Sequence, residues 1–84
     1  MSGNTKPITI EKNNEEDIRQ VIKAVYDALN EKGYDPISQI VGYLLTEDPT
    51  YITTHNNARI LIRRVDRFEL LQILLRDYIN ADNS

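Results

Sequence analysis

The fold of this chain is decided by residues 33–45, where one helix ends, a second begins and the most apolar run of the sequence follows. The stretch reads Gly33-Tyr34-Asp35-Pro36-Ile37-Ser38-Gln39-Ile40-Val41-Gly42-Tyr43-Leu44-Leu45. Gly33 suits the left-handed residue just beyond a helix end. Asp35 can cap a new helix, and Pro36 fits the first helical turn, where no backbone N–H is needed. The stretch therefore predicts two helices joined by a tight turn.

The second of these helices has apolar residues at spacings of three and four, and little of its circumference is polar. We expect it to be central in the protein. Gly42 costs about 1 kcal/mol relative to alanine inside a helix, which indicates that another backbone approaches closely there; a merely tolerated glycine is the alternative. The residues predicted to form a contact between two copies of the chain are Ile40, Val41, Gly42, Leu44 and Leu45.

Length and composition restrict where the protein works and how it is stabilised. The 84 residues form one domain, and such a domain buries only about 60% of the surface of its unfolded chain. No cysteine is present, which excludes disulfides and makes oligomerisation the remaining source of stability. No apolar run approaches the roughly 20 residues that cross a bilayer. Because no signal-like segment follows Met1, we expect a cytoplasmic protein without membrane insertion.

A first helix is predicted to run to about Lys32. Asn13 or Asn14 can cap it, and three acidic residues follow in the first turn, where the helix dipole favours negative charge. Residues 1–13 contain little apolar sequence and are predicted to be a flexible arm. A short strand at residues 8–10 is the alternative.

Further short helices are predicted after the central one. Asp48 and Pro49 indicate a helical turn, and the capping-rich residues 53–57 lead into a helix that is basic on its outer face. Asp66 can cap the last helix, in which apolar residues cover well over half of the circumference. A small monomer cannot bury so much apolar surface, and we therefore expect a two-fold homodimer.

The predicted fold is all-α, a compact bundle of four to five short helices that forms a homodimer. The predicted segments are a flexible N-terminal arm at 1–13, a helical domain at 14–80 and a flexible tail at 81–84.

Charge and residue types argue against several functions. The net charge of −3 gives no general attraction to phosphate backbones, and we expect no nucleic-acid partner. His55 is the only histidine, and no second ligand type is spaced to complete a zinc site, so neither a metal nor another cofactor is expected. No serine, aspartate or cysteine forms a nucleophile arrangement with His55, and the chain is not expected to be an enzyme.

A row of arginines is the strongest candidate for a binding site. Arg59 and Arg63 lie four residues apart, and Arg67 continues the row if the helix persists. Such a row can bind carboxylate or phosphate groups through two hydrogen bonds at once. A solvated face balanced by Asp66 and Glu69 is one alternative. A small DNA-binding regulator that uses the row is another, which the acidic net charge disfavours.

Several short motifs follow one another in an order known from one protein family. They are Val25-Tyr26-x-Ala28-Leu29, Glu31-Lys32-Gly33-Tyr34-x-Pro36, Gln39-Ile40-Val41-Gly42-Tyr43-Leu44-Leu45, Asp48-Pro49-x-Tyr51-Ile52, His55-x-x-Ala58-Arg59 and Ile62-Arg63. Over about residues 25–78 the chain closely resembles the IreB/ReoM family. The resemblance implies a small cytoplasmic all-helical homodimer that is a regulator and not an enzyme. It also implies phosphorylation of an arm threonine by a membrane Ser/Thr kinase with PASTA repeats.

The resemblance further implies a role in cell-envelope homeostasis and in tolerance to cell-wall antibiotics, through control of peptidoglycan precursor synthesis. In part of the family this control acts through Clp-protease turnover of the enzyme for the first committed step. That enzyme and a Clp-protease adaptor are therefore candidate partners, beside the kinase and a second copy of the chain. A constitutive dimeric interaction module whose arm is never modified is the competing hypothesis.

The resemblance also assigns residues to these roles. The candidate phosphoacceptors are Thr5 and Thr9, and neither lies in the Thr-Met-x-aromatic context that is usual for the family. Thr53 and Thr54 stand where relatives often have Pro-Arg, so one basic contact is missing. The residues expected to bind a partner are Arg59, Arg63, Arg67 and His55.

Overall fold

Four α-helices account for most of residues 14–82, the part of the chain that the structure, a computed structural model, describes. They are α1 (Glu15–Glu31), α2 (Pro36–Thr46), α3 (Ala58–Arg63) and α4 (Arg67–Asp82), with 3₁₀ turns at Pro49–Tyr51 and His55–Asn57 between α2 and α3. No strand occurs in residues 14–82. The all-α prediction is confirmed for this part of the chain.

The boundaries of α1 follow from local side-chain chemistry. The Asn14 side chain accepts a hydrogen bond of 2.8 Å from the Asp17 backbone N–H, which satisfies one of the donors that a helix start leaves unpaired. At the other end Gly33 has a φ of +85°, the left-handed conformation that glycine adopts at low cost. Asn14, one of the two residues predicted as the cap, therefore caps α1.

The start of α2 is also as predicted, and its end is held by side chains. Asp35 accepts hydrogen bonds from the backbone and the hydroxyl of Ser38, and Pro36 occupies the first turn. At the end Glu47 adopts a left-handed conformation with a φ of 63°. The Thr46 hydroxyl donates to the Gly42 carbonyl at 2.8 Å. These contacts turn the chain sharply into the connection to α3.

That connection contains two turns. Asp48 accepts hydrogen bonds from the backbone N–H and the hydroxyl of Thr50, at 3.0 and 2.7 Å, and so fixes the turn that Pro49 opens. Asn56 and Asn57 then both have positive φ values. Asparagine is one of the few residues that tolerate this conformation, and the pair redirects the chain into α3.

Between α3 and α4 the helix does not persist. It ends at Arg63, and after a short turn the Asp66 carboxylate accepts hydrogen bonds from the backbone N–H groups of Phe68 and Glu69. Asp66 therefore caps the last helix, as the sequence predicts. As a consequence Arg67 lies on a different helix from Arg59 and Arg63.

The core is entirely apolar and is organised around α1. This helix contacts α2, α3 and the turn at His55–Asn57, and an ion pair of 3.4 Å between Arg19 and Asp77 joins it to α4. The expectation that α2 is the central helix is therefore wrong for the single chain, because only one face of α2 is covered. The buried side chains are Ile18, Val25, Ala28, Leu29, Ile40, Tyr43, Leu44, Ile52, Ala58, Ile62, Val65, Leu70 and Ile73.

Two helices leave large apolar side chains in solvent, as the composition of the last helix led us to expect. On α4 only Leu70 and Ile73 are buried. Its exposed apolar residues are Phe68, Leu71, Leu74, Leu75, Tyr78 and Ile79, and those of α2 are Ile37, Val41 and Leu45. The two helices approach each other at the C-terminal end of α2, where Arg67 bonds to the Leu44 carbonyl. A single chain therefore leaves much of its apolar surface uncovered.

Three expectations concern the ends of the chain and the membrane. The predicted arm, with its alternative strand at 8–10, lies outside the described residues. The α4 helix continues to Asp82 and so includes the first two residues of the predicted 81–84 tail. Within residues 14–82, every helix is too short or too polar to cross a bilayer.

Candidate interaction site around the α2–α3 connection

The connection between α2 and α3 is held in place by long polar side chains that bind its backbone. The Gln39 amide donates to the Tyr51 carbonyl at 2.9 Å, and Arg59 Nε donates to the Ile52 carbonyl at the same distance. The Ile52 side chain is fully buried. Two backbone carbonyls at the end of this turn are therefore satisfied by side chains, and the turn is anchored in the core.

Arg59, on α3, helps to fix this connection, and part of its guanidinium remains available to bind another group. Only Nε bonds to the chain, so its two terminal amino groups have no partner among residues 14–82. The Thr50 hydroxyl, followed by the Thr50 N–H, lowers the pKa of Asp48 below its ordinary value of 3.8, and the positive charge of Arg59 contributes to the same direction. Arg59 therefore lies beside a carboxylate that is readily ionised.

Arg67 does not continue the predicted arginine row. Its guanidinium donates to the Leu44 carbonyl at 2.5 Å and forms an ion pair of 3.3 Å with Glu47. A cation at this position interacts favourably with the unpaired carbonyls and the negative dipole end of α2. We conclude that the row of three arginines on one helix is not formed. The feature that favoured a DNA-binding helix is lost with it.

Arg63 and its neighbour Arg64 are the exposed cations of this region. Neither guanidinium makes an ion pair or a hydrogen bond within the part of the chain that is described. Of the three arginines predicted to bind a partner, Arg63 is therefore the one whose whole guanidinium is available to an external carboxylate or phosphate.

His55 joins the connection to the end of α1. Its Nε2 atom lies 2.8 Å from Glu31 Oε1, and the His55 backbone N–H donates to the Thr53 hydroxyl. About a third of the side chain is exposed. No group of three or more residues of the types that ligate metals comes together within residues 14–82. His55 therefore links the connection to the end of α1 through its contact with Glu31.

The predicted contact residues of α2 fall into two groups. Ile40 and Leu44 are buried in the core of the single chain, whereas Val41 and Leu45 are exposed. Gly42 is half-buried beneath the ring of Tyr51. Within the single chain, the close contact at Gly42 is made by the side chain of Tyr51.

The two candidate phosphoacceptors, Thr5 and Thr9, lie outside the described residues. Within 14–82 most hydroxyl groups of serine and threonine are engaged in local turns. The hydroxyls with hydrogen-bond partners are those of Ser38, Thr46, Thr50 and Thr53, and the exposed Thr54 has none.

The sequence pattern of a known family covers nearly the whole chain. The profile of the family described as "IreB regulatory phosphoprotein" matches residues 3–80. This chain belongs to the IreB family. The match begins inside the segment that precedes α1, so that segment is part of the family pattern. Membership in a family of regulatory phosphoproteins confirms the resemblance that the motifs indicated.

Two bacterial relatives agree with this assignment in length as well as in sequence. A protein of Acetivibrio thermocellus named "UPF0297 protein" is 52% identical over 80 residues, which cover 94% of this chain and 89% of the relative. A protein of the same name from Lachnoclostridium phytofermentans is 51% identical over 78 residues, covering 93% and 89%. This IreB-family chain and its relatives therefore match almost end to end.

Sequence reasoning did not find the partners that hold the site together. Gln39 and Glu31 hold the site together, and Arg64 adds an exposed cation to it. None of the three is predicted from the sequence as a site residue, although Gln39 and Glu31 stand in the motifs that identify the family. Gln39 bonds to a residue 12 positions away and His55 to one 24 positions away. Contacts over such separations leave no periodic signal in the sequence.

Proposed function

We propose that this protein is a non-enzymatic cytoplasmic regulator that binds protein partners as a homodimer. We further propose that phosphorylation of Thr5 or Thr9 by a Ser/Thr kinase with PASTA repeats controls this binding. The observation that carries the proposal is the exposed apolar surface of α2 and α4, since contiguous apolar patches on small proteins mark interaction surfaces. The family is described as a regulatory phosphoprotein, which supports the proposal that phosphorylation controls binding.

The hydrogen bonds of the threonine hydroxyls in the helical domain favour the arm as the phosphorylated segment. Phosphorylation of Thr46 or Thr50 would break a hydrogen bond that fixes the end of α2 or the following turn. The arm precedes the Asn14 cap, so a phosphate there leaves these bonds intact. Among residues 14–82, Thr54 is the remaining competitor, because its hydroxyl bonds to nothing.

The homodimer is proposed on the same apolar surface. In a two-fold interface each exposed residue is used twice, so the α2 and α4 faces can cover each other across the symmetry axis. Because Ile40 and Leu44 are already buried within the chain, we assign the contact on α2 to Ile37, Val41 and Leu45. The contact on α4 is assigned to its exposed apolar residues, which are Phe68, Leu71, Leu74, Leu75, Tyr78 and Ile79.

Arg63 and Arg59 are proposed to bind the partner. Among residues 14–82 the Arg63 guanidinium has no partner and the terminal amino groups of Arg59 have none either. Such groups suit an acidic segment of a partner protein. Phosphate adds about −1.5 to −2 charges to the arm. A phosphorylated arm therefore weakens the binding of an acidic partner, because its added negative charge repels that partner.

We place this regulation in cell-wall synthesis, on the strength of the IreB/ReoM resemblance. The client we propose is the enzyme for the first committed step of peptidoglycan precursor synthesis, with turnover by a Clp protease through an adaptor. A host strain that carries Thr5→Ala and Thr9→Ala together should show an altered level of that enzyme and altered tolerance to a cell-wall antibiotic. Thr54→Ala is the matched control and should behave as wild type. Identical enzyme levels and tolerance in all strains would refute the proposed regulation.

The partner site is tested by charge reversal. Arg63→Glu should abolish binding of the purified client or adaptor and leave the helical content unchanged. Arg76→Glu reverses the charge of another exposed arginine, on α4, and should leave binding intact. If both variants bind as wild type does, Arg63 does not contact the partner.

A further inference from the structure

A groove between α1 and α3 is not used by the proposed partner site. It has a volume of about 360 Å³. Val21 and Leu61 are half-buried and pack against the core, so they form an apolar floor that remains accessible. The residues that line the groove are Asp17, Gln20, Val21, Ala24, Leu61 and Arg64.

The groove begins close to the point where the arm joins the helical domain. Its first lining residue, Asp17, lies in the first turn of α1, and Asn14 has an extended backbone with a ψ of 171°. Along α1 the lining residues run from Asp17 to Ala24, which corresponds to about 10 Å at 1.5 Å per residue. An occupant of the groove is therefore a short segment.

The arm contains one segment of suitable length and chemistry. Ile8-Thr9-Ile10 is its only apolar tract, and three extended residues span about 10 Å. Residues 11–14 separate this tract from α1, and four residues suffice for a reversal of chain direction. In an extended segment Ile8 and Ile10 face the same side, whereas Thr9 faces the opposite side.

We propose that the groove between α1 and α3 is a docking site for residues 8–10 of the chain's own N-terminal arm. Ile8 and Ile10 cover the floor formed by Val21 and Leu61, and Thr9 lies at the rim beside Arg64. The proposed docking brings a candidate phosphoacceptor next to a guanidinium that has no partner elsewhere in residues 14–82.

The regulatory consequence rests on the proposed function, because it requires phosphate on Thr9. Phosphothreonine at the rim gains charge-assisted hydrogen bonds with Arg64, which strengthen the docking. Asp17 opposes this gain from the α1 side of the groove. The attraction prevails because it acts through direct contact, whereas repulsion across the groove is weakened by solvent and salt.

Docking is tested on the complete chain without phosphate. Because the protein lacks cysteine, Lys6→Cys provides a single site for a nitroxide spin label. The label should broaden the amide NMR signals of Gln20, Ala24 and Leu61 and leave those of Ile37 and Leu45 on α2 sharp. Adding Ile8→Ser and Ile10→Ser should abolish the broadening, whereas Ile60→Ser, an exposed isoleucine of α3 outside the groove, should preserve it. Broadening that is equal on both faces, or that survives the double substitution, would overturn the docking site.

A mixed sample separates docking on the same chain from docking on a second copy. Spin-labelled chains without ¹⁵N are combined with ¹⁵N-labelled wild type. We expect the groove signals of the ¹⁵N-labelled chain to stay sharp. Broadening of those signals would show that the arm reaches the other copy and would contradict docking on its own chain.

The phosphate effect is tested with phosphothreonine placed at position 9 by protein ligation, without the kinase. The ratio of docked to free arm should rise about two- to fivefold, as for an exposed ion pair. Arg64→Ala should remove this rise, and Arg76→Ala should not. A rise that is unchanged in Arg64→Ala would refute the role of Arg64. Since the docking measurement uses no kinase, its failure leaves the proposed phosphorylation standing, and a failure of phosphorylation in the host leaves docking intact.

Discussion

The ring of Tyr51 packs directly on Gly42 in the middle of α2, and a Cβ atom at Gly42 would lie 2.6 Å from Tyr51 Cδ1. Glycine is therefore required at this position by the turn that follows α2. The Gln39 side chain bonds to the Tyr51 carbonyl, so the same helix holds both the ring and the backbone of Tyr51. This pairing positions the connection that contains the candidate site.

Gly42→Ala should destabilise the protein although alanine is normally the better helix former. We expect a loss of about 1–3 kcal/mol in the free energy of unfolding, because the added methyl group displaces the ring. Urea denaturation followed by circular dichroism measures this loss. In a Tyr51→Ala background the same change should instead stabilise by about 1 kcal/mol, the ordinary preference of a helix for alanine. Equal effects in the two backgrounds would show that the ring does not set the requirement for glycine.

Arg67→Ala should destabilise the end of α2 by about 1–2 kcal/mol, since it removes a charged hydrogen-bond donor from the helix carbonyls. Arg67→Lys should recover only part of this loss, because an ammonium group cannot reproduce the fork that reaches both Leu44 and Glu47. Arg63→Ala, which removes a guanidinium without a partner in the described part of the chain, should change the free energy of unfolding by less than about 0.5 kcal/mol. Thermal or urea denaturation compares the three variants. A loss at Arg63 that equals the loss at Arg67 would contradict the separate roles given to them.

Charged substitutions on the apolar faces of α2 and α4 should dissociate the proposed homodimer. Leu45→Glu and Leu75→Glu replace side chains that are 78% and 61% exposed in the single chain, so the fold of each protomer should survive. Each change acts twice in a two-fold interface, and we expect the dimer dissociation constant to rise at least about tenfold. Sedimentation equilibrium measures it. Ile60→Glu, on the exposed side of α3, is the control and should leave the association unchanged; an equal effect there would point to a different interface.

Acid should remove the contribution of Asp48 to stability. Hydrogen bonds from Thr50 lower its pKa in the folded chain, so the unfolded chain binds the proton more readily. The contribution is therefore fully present above the ordinary pKa of 3.8 and is lost as pH falls through the lowered value. Urea titrations between pH 7 and pH 2 should show a smaller acid-induced loss for Asp48→Asn than for wild type. Thr50→Val removes the hydroxyl and should reduce the loss in the same direction; pH profiles that coincide for all three proteins would contradict this explanation.

The sequence predicts the helix boundaries well because each is set by contacts within three or four residues. Asn14, Asp35, Asp48 and Asp66 all cap the turns expected of them. Gly33 likewise adopts the left-handed conformation. Such contacts depend on residue type and spacing alone, and no knowledge of the tertiary structure is needed to predict them.

The candidate site is less predictable because its contacts are distant in sequence or depend on one residue of a turn. Arg67 could share a helix face with Arg63 only if α3 continued beyond Arg63. Because Asp66 caps a new helix, the two arginines lie on different helices. On α2 the apolar residues surround most of the helix, so periodicity cannot tell that Ile40 is buried and Val41 exposed. Only the packing of α1 against α2 distinguishes the two.

Mass spectrometry of the intact protein, followed by fragmentation, tests the central claim most directly. Wild type, Thr5→Ala and Thr9→Ala are incubated with the PASTA-repeat kinase of the host, with Thr54→Ala as the control for the free hydroxyl in the folded domain. We predict one added phosphate in wild type and in Thr54→Ala, and its loss in one of the two arm variants. No added phosphate, or a phosphate that is lost only in Thr54→Ala, would contradict control through the arm and leave a constitutive dimeric interaction module in its place.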